Sequence, residues 1–89
     1  MEGSGEFVMA ETEPRTLRAA HDAALQRRPA SDANLAAWLV FHQRNARMYE
    51  AVSDVDRGHH HEALYWAGYE RRKADAVTSR IQEAKQQIR

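Results

Sequence analysis

The chain has no cysteine, which excludes a disulfide framework, a thiol nucleophile, a cysteine-type zinc knuckle and an iron–sulfur site. Proline is confined to Pro14 and Pro29, and of the four glycines only Gly58 and Gly68 fall after Pro29. Little therefore interrupts a helix over the last two thirds of the sequence. Charge of one sign is also lacking. Thirteen basic residues balance thirteen acidic ones, which argues against a strongly basic nucleic-acid binder and against an acidic tail. No apolar run approaches the roughly 18 residues of a membrane span, and no signal-type apolar segment opens the chain. β-Branched residues are sparse and form no alternating run of strand length. Gly-rich phosphate loops and nucleophile elbows are missing as well. Expected, then, is a non-enzyme of cytoplasmic location, with no cofactor, no nucleic-acid partner and no membrane partner.

What is present is a chain of 89 residues with 43% hydrophobic content, enough for one small domain and too apolar for a disordered one. Residues 1–8, beginning Met1-Glu2-Gly3-Ser4-Gly5-Glu6-Phe7, read as a vector-derived tail, because Gly-Ser and Glu-Phe translate common restriction sites. Native sequence is expected to begin at Val8 or Met9, leaving a single helical domain over 9–89. Arginine outnumbers lysine eleven to two and alanine occurs sixteen times. That bias fits a GC-rich bacterial genome and needs no arginine-specific function.

Helix formers dominate, and three helices are predicted. The first spans about 14–28, with Thr12 or Glu13 as cap, Pro14 in its first turn and Pro29 as its stop. Its apolar stripe is Leu17, Ala20, His21, Ala24 and Leu25. The second runs over about 32–55 from a Ser31 or Asp32 cap. Its apolar residues cover an arc of roughly 200°, too wide for one neighbour. Asp56-Arg57-Gly58 is the expected turn, with Gly58 in the left-handed conformation that ends helices. The third helix follows over about 59–88, with Ala63, Trp66, Ala67, Glu70, Ala74, Val77, Ile81, Ala84 and Ile88 facing inward. The predicted fold is all-α: an antiparallel hairpin of two long helices with a short N-terminal helix across it. A short first helix cannot cover so wide an arc. The face made by Leu35, Trp38, Phe41, Met48, Val52, Tyr65 and Tyr69 is therefore expected to seat a two-fold mate, giving a four-helix-type homodimer.

Three clusters are candidates for chemistry. His59, His60, His61 and Glu62 are metal-ligand types, but consecutive positions on a helix point about 100° apart, so one helix cannot aim all of them at one ion. A polar helix start is the expected reading. Glu70 falls in the middle of the third helix's inward face. A turn at Arg57-Gly58 sets Asn45 opposite it with His42 one turn away, and a buried carboxylate needs such partners. The expectation is a buried polar layer of His42, Asn45 and Glu70 that fixes register. Tyr65 and Tyr69 share a face beside Arg72, as either a recognition patch or a surface covered by another helix.

Ala51-Val52, Asp56-Arg57-Gly58-His59-His60-His61-Glu62-Ala63-Leu64 and Tyr69 resemble the helical hairpin of tetratricopeptide and microtubule-interacting-and-trafficking modules, which place Gly in the turn and Ala in the next helix. The match covers the turn region alone and there is no second repeat. The stretch His-His-His-Glu-Ala-Leu-Tyr-Trp, His59 to Trp66, resembles a family of short, uncharacterised actinobacterial helical proteins, a resemblance that implies no particular activity. Trp66-Ala67-Gly68 is similar to the motif of the WXG secretion substrates, small dimeric helical hairpins. Here, however, it lies inside a helix, and Lys73 stands where that family carries an acid. The function expected from all this is a non-catalytic helical protein–protein interaction module, an adaptor or regulator. The alternatives are a metal- or ligand-binding bundle using the histidines and Glu70, and a WXG-like secreted hairpin.

Overall fold

The computed structural model describes residues 13–88, and these form three helices with no strand among the described residues. Helix α1 spans Leu17–Gln26, α2 spans Leu35–Val55 and α3 spans His60–Ile88. Among the described residues no helix is long and apolar enough to cross a membrane. The expected tail over 1–8 lies outside the described residues.

Helix α1 starts later than the sequence suggests because Thr16 caps it. Its backbone is extended and its Oγ1 accepts from the Ala19 N–H at 3.0 Å, which satisfies one orphan donor of the first turn. Pro29 keeps Arg28 out of helical geometry and α1 ends at Gln26. A turn closed by the Ala33 N–H on the Ala30 carbonyl occupies Ser31 and Asp32, so neither caps α2. Asn34 does, its Oδ1 accepting from the Ala37 N–H at 2.9 Å. At the far end the chain leaves α2 at Asp56 (φ −97°, ψ 77°), and a single 3₁₀ turn over Arg57–His59 leads into α3. Gly58 sits in that turn without a left-handed φ and with open space around it. The reversal is therefore made by Asp56, not by the expected glycine conformation.

Helices α2 and α3 form the hairpin, and α1 lies against its turn end. The core there consists of Ala20, Met48, Tyr49, Val52, Ala63 and Ala67, flanked by Leu17, Ala23, Ala24 and Trp66. Ala20, Ala63 and Ala67 are fully buried, and their small side chains let three helices approach closely. Toward the open end Phe41, Ala74 and Val77 are buried, whereas Leu35, Leu39 and Ile81 are only half-buried. Helix α3 has 29 residues against 21 in α2, an overhang of about 12 Å. Ala84, expected inward, lies on that overhang and is exposed.

The apolar arc of α2 is divided differently from expectation. Met48 and Val52 are inside the three-helix core, and Phe41 is covered edge-on by the rings of Trp38 and His42. With 6%, 0% and 7% exposure respectively, these three are not available to a face for a second chain. In α1, Leu25 was expected to point inward and is 69% exposed.

Candidate functional site

Polar cross-links hold the three helices in register. On α3, Glu70 is buried, and His42 Nδ1–H on α2 donates to its Oε1 at 2.6 Å. An ionised carboxylate only accepts, so the hydrogen bond fixes the proton on Nδ1. His42 is itself stacked on Trp38, with centroids 5.9 Å apart. Asn45 is fully buried as expected, but its partner comes from α1's end: Arg27 Nη2 donates to Asn45 Oδ1 at 2.8 Å and to Met48 Sδ at 3.2 Å. The polar layer thus divides into a His42–Glu70 pair and an Arg27–Asn45 pair. At the surface Arg71 of α3 pairs with Glu50 of α2.

Two further links fasten α1. Tyr49 and His21 share a hydrogen bond at 2.7 Å between the phenolic oxygen and Nδ1. Burial, reinforced by the negative charge of Glu70 and opposed by Arg27, pushes the Tyr49 hydroxyl up to about 12. Its proton stays in place at neutral pH. Asp56 Oδ2 accepts from the Leu17 N–H at 2.8 Å, so the hairpin's connector caps a helix 39 positions away. That hydrogen bond, with help from His59, holds the Asp56 carboxyl below its ordinary value.

The histidine cluster is dispersed over separate structural tasks. His59 Nδ1 lies 3.0 Å from Asp56 Oδ2, which raises the His59 pKa. His60 Nδ1–H donates to the Ser53 carbonyl at 2.8 Å, and His61 is exposed with its ring edge-on to His60. Glu62 is exposed. Among the described residues no three His, Asp or Glu side chains converge as a metal-binding group. Glu70 lies ten positions along α3 from His60, about 15 Å, too far to join the cluster.

A groove opens where the chain after α1 runs beside the open end of the hairpin. It has a volume of about 430 Å³ and is lined by Arg28, Leu35, Trp38, His42, Tyr69, Lys73, Val77 and Arg80, among others. The Arg28 guanidinium lies 5.3 Å over the Trp38 ring and the Lys73 ammonium 5.6 Å over the Tyr69 ring, both within cation–π range. Arg28, His42 and Tyr69 also line an adjoining cavity of about 310 Å³ that reaches Tyr49, Trp66 and Glu70. Of the seven residues expected to form an interaction face, Leu35, Trp38 and Tyr69 line this groove. Tyr65 is 59% exposed on α3 with its ring edge-on to Trp66.

A second cavity, sharing no lining residue with the groove, lies on the other flank of α1. It has a volume of about 480 Å³ and its walls include Arg27, Arg44, Arg47 and Glu13. The basic residues of both sites escaped the sequence reading, which weighed the overall charge balance and put the arginine bias down to genome composition. The signal was present: Arg44 and Arg47, three apart, share one helix face. Comparison with known proteins returns no match, since no family model, curated protein or solved structure is significantly similar to the chain.

Proposed function

We propose that the chain is a non-catalytic helical interaction module whose open-end groove receives an acidic, amphipathic segment of another protein. The observation that carries this reading is the groove's lining. Arg28, Lys73 and Arg80 surround Trp38, Tyr69 and Val77, and among the described residues no carboxylate lines the groove. Half-buried aromatic faces under cations suit a partner that brings an apolar anchor flanked by acidic side chains. A second copy of the chain suits it less well. An isologous contact sets the same patch against itself, so three cations would meet three cations.

Nuclear magnetic resonance titration tests the proposal, with a synthetic amphipathic helix carrying Leu and Glu at helical spacing. Its counterpart with Lys for Glu serves as control. The expected result is saturable movement of the Trp38 indole N–H and Tyr69 resonances with the acidic peptide alone. Added salt should weaken it, and Lys73→Glu with Arg80→Glu should abolish it. Equal binding of the basic peptide, or binding indifferent to the charge reversals, overturns the reading. So does a chain that self-associates through Trp38 in sedimentation equilibrium.

A further inference from the structure

The cavity on the other flank of α1 carries a different inference. Arg27 is only partly exposed, and its Nη2 donates to two neutral acceptors, the Asn45 carbonyl oxygen and the Met48 sulfur. Its Nε is buried with no hydrogen-bond partner, and the same holds for Nδ2 of the fully buried Asn45. Among the described residues no carboxylate pairs with Arg27, Arg44 or Arg47. A cation drawn out of water and met only by neutral groups is costly. The cost is visible in Arg27, whose pKa is lowered by burial and then by the charge of Arg44, against the opposing pull of Tyr49, Glu13 and Glu70. Among the described residues Glu13 is the one carboxylate lining the wall, against three arginines. Met48 and the smaller Ala23, Ala51 and Pro14 supply the rest of the lining.

We infer that this cavity binds a small dianionic oxyanion, inorganic phosphate or the phosphoryl group of a small monoester, held by Arg27, Arg44 and Arg47. Guanidinium forks match the paired oxygens of such an anion and donate charge-assisted hydrogen bonds to it. The anion adds counter-charge in direct contact with Arg27, which no described carboxylate pairs with, and offsets its repulsion with Arg44. Glu13 at the wall competes with it for the same cations.

Isothermal titration calorimetry of the full chain with inorganic phosphate and with glycerol phosphate tests this, with chloride at matched ionic strength as control. Saturable, stoichiometric binding is expected, accompanied by a rise in the thermal midpoint. Arg27→Gln also removes the tie to Asn45 and endangers the fold, so the exposed Arg44 and Arg47 carry the test. Arg44→Gln and Arg47→Gln should each weaken binding about tenfold while the unliganded protein unfolds as before. Glu13→Gln should tighten it. Stronger binding of glycerol phosphate identifies a monoester as the source, and stronger binding of inorganic phosphate identifies the free ion. Heats that do not saturate, a chloride effect equal to that of phosphate, or an affinity unchanged by Arg44→Gln overturns the inference. Lys73→Glu and Arg80→Glu should leave phosphate binding intact, so failure here and failure of the groove reading are separately visible.

Discussion

The turn end and the open end of the hairpin are built from the same two helices yet are held by different means. At the turn end, Ala20, Ala63 and Ala67 are fully buried and three helices meet around Val52 and Tyr49. Side chains there also bridge between elements: His21 to Tyr49, Asp56 to the Leu17 N–H and His60 to the Ser53 carbonyl. At the open end no third helix arrives among the described residues, Leu35 and Ile81 stay half-exposed, and the basic groove occupies the space. The His42–Glu70 pair marks the boundary. The difference teaches that small residues, by letting α1 approach Met48, Tyr49 and Val52, together with directed hydrogen bonds, close one end. Larger side chains at the other end are left to present a surface.

The largest effect is expected at that boundary. His42→Ala leaves the Glu70 carboxylate buried without its partner and should cost about 3 kcal/mol, read from the urea unfolding midpoint. A loss near zero would show that water reaches Glu70 and that the two ends are not separated there. Overpacking distinguishes the ends next. Ala67→Leu forces new methylenes into a fully buried contact and should cost about 2 kcal/mol. Ala84→Leu on the exposed overhang should stay within about 0.5 kcal/mol; equal losses would erase the contrast.

The hold on α1 should depend on pH, and the two partners set the limits. Asp56 is held below its ordinary 3.8 by the Leu17 N–H and by His59. Its contribution is complete above that value and fades as pH falls through the lowered one. His59 is raised above its ordinary 6.5 by Asp56. Its share is complete below 6.5 and fades as pH rises through the raised value. The fastening is therefore firmest between 3.8 and 6.5, and the thermal midpoint measured against pH should lose both limbs in Asp56→Asn. An unchanged profile in that variant would place the titration elsewhere. The smallest effect is at the connector. Gly58→Ala meets nothing within 4 Å and needs no left-handed backbone, so it should stabilise by about 0.5 kcal/mol. A loss instead would mean that the turn requires glycine's freedom.

Much of the architecture was legible because it is periodic. The inward stripe of α3 from Ala63 through Glu70 to Val77 is buried, and a buried carboxylate could be read from its place on that stripe. Which residue answers it could not. His42 and Asn45 are one turn apart, and the choice depends on Arg27 arriving from another element. Counting faces failed for Met48 and Val52 because it weighed helix length and ignored how closely alanines let α1 approach, and for Phe41 because it ignored cover from the neighbouring rings of Trp38 and His42. Asp56 was readable as a turn residue, but its capping of α1 depends on docking and leaves no local pattern.

That last bond has a consequence for the order of events in folding. The donor at Leu17 and the acceptor at Asp56 are separated by nearly the whole of α1 and α2. The acceptor is placed only after the chain has reversed direction at the connector. Pairing of α2 with α3 closes a short loop, whereas seating α1 closes a long one. The hairpin should consequently assemble first and α1 last, its opening turn acquiring a cap from a connector that already exists. In native-state hydrogen exchange, α1 amides should then open at lower free energy than those around Val52 and Ala67. The short helix is in this sense a latch whose catch is made by the rest of the fold.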